Sequence, residues 1–63
     1  MKLKDALEVI PWNTEINVTS YTKGVLVTGK KLREARPILI NEINNEVFVI
    51  EPCYANELIL EVE

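Results

Sequence analysis

Glu15-Ile16-Asn17-Val18-Thr19-Ser20-Tyr21, then Thr22-Lys23-Gly24, then Val25-Leu26-Val27-Thr28 is the stretch that sets the architecture. In its first part Ile16, Val18 and Ser20 alternate with Glu15, Asn17, Thr19 and Tyr21. That period of two is the signature of a half-buried strand. Gly24 closes a short turn, because a residue without Cβ reaches positive φ at no steric cost. Val25 to Thr28 return as a second strand, and Gly29 ends it. The stretch reads as a β-hairpin.

Upstream, Leu3, Ala6, Leu7 and Ile10 fall at i, i+3, i+4 and i+7, the stripe of a short amphipathic helix. Pro11 stops it, since proline lacks an N–H and disfavours helical geometry at Ile10. Downstream, Lys30 to Arg36 predicts a second short helix with Leu32 and Ala35 inward, ended by Pro37. The segment Ile38-Leu39-Ile40-Asn41-Glu42-Ile43 fits two periods: Leu39, Ile40 and Ile43 a helix, Ile38 and Ile40 a strand. It is read as irregular or briefly extended. After the turn signal Asn44-Asn45, the β-branched and aromatic run Val47-Phe48-Val49-Ile50 makes Glu46–Glu51 a strand. Pro52 to Asn56 form a loop, and Glu57 to Val62 the last strand. Leu58, Leu60 and Val62 lie on one side of it, and Glu57, Ile59 and Glu61 on the other. The expected fold is a single α+β domain over 1–63, helix-strand-strand-helix-strand-strand. Short connections favour a four-stranded antiparallel sheet with both helices on one face.

Two short helices cover one side of a sheet. The other side would then expose Phe48 and Ile50, joined by Ile59 and Tyr21. A contiguous apolar patch of that kind marks an interface, and self-association is the expectation. The alternative is that residues 38–43 fold back over it. A chain of 63 residues buries only about 60% of its unfolded surface, so outside support is welcome.

Charge is divided along the chain. Every basic residue precedes Pro37, where seven cations face four acids for a net of +3. Beyond it stand Glu42, Glu46, Glu51, Glu57, Glu61 and Glu63 with no cation, a net of −6. Cys53 is the only cysteine, which rules out an internal disulfide and fits a reducing compartment. MKLKDALEVIPW has no uncharged apolar core of signal-peptide length, and no apolar run could span a membrane. A cytoplasmic location is expected.

The vocabulary for catalysis is thin. There is no histidine, so the commonest general base is missing and no Ser–His–acid triad can form around Ser20. Cys53 lies among Glu51 and Glu57, and carboxylates raise a thiol pKa. One cysteine without histidine makes no zinc site. Glu57, Glu61 and Glu63 share a strand face, where a cation or an acid pair could be imagined. Alternating acids on a surface strand are better read as a solvated edge that resists aggregation. Gly24 and Gly29 form neither a P-loop nor a dinucleotide fingerprint. No enzyme activity, metal or cofactor is expected. Lys30, Lys31 and Arg33, at an expected helix start, offer an anion or nucleotide site as the alternative function. A pI of about 4.9 and few stacking aromatics argue against nucleic acid.

Lys4-Asp5-Ala6-Leu7-Glu8-Val9-Ile10, a short turn, Thr14-Glu15-Ile16-Asn17-Val18 and the closing Leu58-Ile59-Leu60-Glu61-Val62 resemble small uncharacterised proteins of bacterial prophages and mobile elements. Pro37 and residues 38–43 depart from that pattern. The resemblance implies an accessory protein that binds and blocks a host factor. It carries over no catalytic residue. From the residues themselves, the anchors of such a contact would be Trp12, Phe48 and Tyr54. Glu46, Glu51, Glu57 and Glu61 would steer a basic protein partner.

Overall fold

The computed structural model describes residues 1–63. In chain order it contains α1 (Leu3–Val9), β1 (Glu15–Ser20), β2 (Gly24–Lys31) and α2 (Leu32–Ile38). A 3-10 turn (Ile40–Glu42), β3 (Val47–Pro52) and β4 (Glu57–Val62) follow. The class is α+β, with two helices and a four-stranded sheet. No helix is long and apolar enough to cross a membrane.

The sheet is mixed rather than purely antiparallel. Its order is β2-β1-β4-β3, and β1 and β4 pair in parallel from Glu15 opposite Glu57 to Ser20 opposite Val62. The reason lies in the path between the two hairpins. β2 ends beside the start of β1, with Lys31 opposite Glu15. α2 and the 3-10 turn then carry the chain back to the β1–β2 turn, where Glu42 meets Lys23. β3 therefore runs in the direction of β2, and β4 returns alongside β1. The arrangement buries the best apolar strands: Ile16, Val18, Leu60 and Val62 lie in the centre with no exposure. Edge positions go to β2, with its glycines and lysines, and to β3, which ends in Pro52.

One cluster forms the core: Leu3, Ala6 and Leu7 of α1, Leu32 and Ala35 of α2, Leu39, and the inward side chains of β1, β2 and β4. Both helices thus cover the same sheet face. α1 ends as its sequence requires, with Ile10 extended (φ −90, ψ 130) before Pro11.

The second helix differs from expectation. It starts two residues later, because Lys30 and Lys31 continue the ladder of β2 opposite Ile16 and Glu15. Its first N–H groups are satisfied by the loop before β1. Leu32 N donates to Thr14 O at 2.9 Å, and Arg33 N to Trp12 O at 3.4 Å. Lys31 N donates to Glu34 Oε1 at 3.1 Å, one half of a capping box. Pro37 lies inside the last turn instead of ending the helix. Leu39 N closes that turn on Ala35 O and Arg36 O, so one proline without an N–H is absorbed.

Residues 38–43 are neither extended nor irregular. They finish α2 and form the 3-10 turn, with Leu39 buried in the core. Glu42, the only buried carboxylate, holds the segment in place. Its Oε1 accepts from Lys23 Nζ and its Oε2 from Asn45 Nδ2, each at 2.6 Å. Asn45 Nδ2 also reaches Glu63 O at 3.3 Å, and Ser20 Oγ donates to the same carbonyl at 3.1 Å. The segment lies on the helical side and does not cover the opposite face.

Candidate functional site

The outer face of the sheet carries no helix. Strand alternation and the register decide what it displays. β1 contributes Glu15, Asn17 and Thr19, followed by Tyr21. β4 contributes Glu57, Ile59 and Glu61, opposite those same β1 residues. From β3, Glu51 lies opposite Ile59, and Val49 opposite Glu61. From β2, Val25 faces Thr19 and Lys31 faces Glu15.

A bulge in β3 alters the expected patch. The register slips by one residue between Val47 and Val49, so Phe48 is the extra residue. Beyond the bulge the phase is reversed. Ile50 pairs with Leu60 and shares its helix-covered face, at the poorly covered edge of the sheet. The expected pair of Phe48 and Ile50 is thereby separated. Phe48 instead meets Tyr21, with ring centroids 5.4 Å apart and planes tilted by 52°. Such tilted pairs are favoured by the ring quadrupoles. Both rings remain largely open to solvent, at 53% and 71% exposure.

The face is graded. Tyr21, Phe48, Val49 and Val25 crowd the end where β1 and β4 finish. Glu15, Glu51 and Glu57 surround the opposite end, with Ile59 between them and Glu61. None of these carboxylates has an ion-pair partner: the ion pairs of the molecule are Met1–Glu46 at 3.2 Å and Lys23–Glu42 at 2.6 Å. Asn17 is engaged locally, its Oδ1 accepting from Gly29 N at 2.8 Å.

The three expected anchors do not form one patch. Phe48 lies at the aromatic end. Tyr54 projects from the β3–β4 loop, some six residues and so about 20 Å along the strands. Trp12 precedes β1, half exposed, with the Arg36 guanidinium 5.7 Å from its ring centroid. Its backbone helps cap α2, so this residue serves the fold as well as the surface. Among the expected steering acids, Glu51, Glu57 and Glu61 share the outer face, whereas Glu46 is engaged by the Met1 amino group. Tyr21 as the partner of Phe48, and Glu15 as a fourth unpaired acid, were absent from the anchor and steering sets. The alternation of Glu15–Tyr21 already placed both on this side.

The cations of the alternative anion site are split. Adjacent strand residues point to opposite faces, so Lys30 and Lys31 diverge, opposite Ile16 and Glu15 respectively. Cys53 is exposed, and its thiol pKa is raised, chiefly by a hydrogen bond to the Glu57 carboxylate. The thiolate is disfavoured there. An open groove of about 340 Å³ lies on the helical side, lined by Lys4, Leu7, Glu8, Arg36, Pro37, Ile40 and Ile43. Comparison with family models, with curated proteins and with solved structures finds no match to this chain.

Proposed function

We propose that this chain is a non-enzymatic protein-interaction module whose outer sheet face docks on a basic surface of a partner protein. One observation carries the reading. The uncovered face joins an exposed aromatic pair, Tyr21 and Phe48, to unpaired carboxylates at Glu15, Glu51, Glu57 and Glu61. Exposed aromatics are the residues that anchor interfaces, and charges at a rim steer encounter and select the partner. The resemblance to prophage accessory proteins makes a bacterial host factor the intended partner, occupied and blocked by this face.

The test uses matched baits: the native chain, Phe48→Ala, and Glu57→Lys with Glu61→Lys. Each is exposed to host lysate at about 0.05 M and about 0.5 M salt, a range over which exposed charges become screened. The reading expects a protein retained by the native bait at low salt, released at high salt and lost by both variants. A partner retained equally by all three baits would refute this face.

A further inference from the structure

We infer that the partner surface for the outer sheet face includes the helical side of a second copy of this chain, giving head-to-tail self-association. The inference rests on reading the sheet face as a docking face. One side of the molecule carries exposed aromatic rings beside an acid, and the other an open groove with a net positive lining. On the sheet side, Tyr21 and Phe48 form a projecting knob beside Glu61. On the helical side, the open groove of about 340 Å³ has an apolar floor of Leu7, Pro37, Ile40 and Ile43. Lys4, Arg36 and Glu8 complete the lining, and no carboxylate is bonded to either cation, so the groove is positive by one charge. A groove of this volume admits an aromatic ring, and its net positive charge suits the acid beside the knob.

The edges of the sheet point the same way. Joining sheets edge to edge is the common route to self-pairing, and both edges are blunted. β2 contains two register shifts, a Gly29 at φ +63, and ends in Lys30 and Lys31. β3 has the Phe48 bulge and ends in Pro52. Its first residues are already occupied, since Val47 N donates to Met1 O at 2.8 Å and Lys2 bridges Glu46. Face-to-face pairing of two sheet surfaces would set carboxylates against carboxylates. Knob into groove instead brings the acid to a lining in which two cations outweigh the one carboxylate, Glu8. It is heterologous, so each open assembly keeps one free knob at one end and one free groove at the other, and assembly grows with concentration.

Analytical ultracentrifugation of the native chain over a wide concentration range tests this, with sheet-side variants Glu61→Lys and Phe48→Ser and groove variants Arg36→Glu and Ile40→Ser. Native species larger than the monomer are expected at low salt, with the apparent dissociation constant rising about tenfold or more at high salt. Each variant alone should remain monomeric, with an unchanged far-ultraviolet spectrum. An equimolar mixture of Phe48→Ser and Ile40→Ser should form a one-to-one dimer and nothing larger, because one intact knob meets one intact groove and the two damaged halves do not restore each other. Self-association by either variant alone, or no dimer in the mixture, overturns the inference. A basic Lys/Leu amphipathic peptide titrated onto Arg36→Glu reads the sheet face separately. Peptide binding with a monomeric native chain overturns head-to-tail assembly and leaves the docking face standing. Absence of both removes the docking face as well.

Discussion

Replacing Glu42 by alanine should loosen the whole segment between α2 and β3. The carboxylate is 7% exposed and receives two short hydrogen bonds, from Lys23 Nζ and Asn45 Nδ2. Hydrogen bonds to a charged group contribute about 1.5–3 kcal/mol when shielded. The Lys23 side chain is 58% exposed, so water competes for its ammonium, and that half of the site falls toward the ~0.2–1 kcal/mol of an exposed pair. The Asn45 half is better shielded and accounts for about 1–2 kcal/mol. Glu42→Ala should therefore cost about 2 kcal/mol. Against the roughly 3–9 kcal/mol expected of a domain this size, that is a large share. It corresponds to a fall in Tm of about 8–16 °C. Urea unfolding followed by circular dichroism measures it. Double-mutant cycles with Lys23→Met and Asn45→Ala separate the two halves. The coupling to Asn45 should exceed the coupling to Lys23. A cost for Glu42→Ala under about 0.5 kcal/mol, or the reverse order of couplings, would refute the reasoning that Glu42 pins this segment.

Leu60→Ala empties a fully buried site on a central strand. It should cost about 2–5 kcal/mol, enough to populate the unfolded state at 37 °C, as a shifted urea midpoint would report. Gly24 has φ +82 and open space around its missing Cβ. Gly24→Ala should thus cost only backbone strain, about 1–2 kcal/mol by the same assay, with the hairpin retained. For Cys53, Glu57 raises the thiol pKa, so the thiolate forms only at higher pH. Alkylation by iodoacetamide should be slow near neutral pH, and Glu57→Gln should shift its rate profile to lower pH. An unchanged profile would show that the carboxylate does not control the thiol.

The local elements were legible because each is written in a short repeating pattern. Leu3, Ala6 and Leu7 face the core as their spacing requires, and so do Ile16, Val18, Leu60 and Val62. Pro11 ends α1 and Gly24 turns the first hairpin. The side of the sheet that each residue of β1 and β4 occupies follows from parity alone, which is why Glu57, Ile59 and Glu61 could be assigned to the outer face. Local pattern was insufficient at Ile38–Ile43. Ile40 fits either period there, and burial of Glu42 against Lys23 is a contact between residues 19 positions apart.

Strand order and phase belong to the assembled molecule. Nothing in either hairpin says which of its strands will meet the other hairpin. The choice of β1 against β4 comes from the apolar area that only joint packing can bury, and the parallel direction follows from the helical return between them. The Phe48 bulge is likewise invisible in Val47-Phe48-Val49-Ile50, where every position is apolar and alternation carries no signal. It arises when β3 must match both Val62 and Leu60 of its neighbour. A one-residue slip exchanges the faces of a strand. It moved Ile50 to the helical side and left Phe48 beside Tyr21. Periodicity dictated which residues could reach the outer face, and the three-dimensional match between strands settled which of them met there.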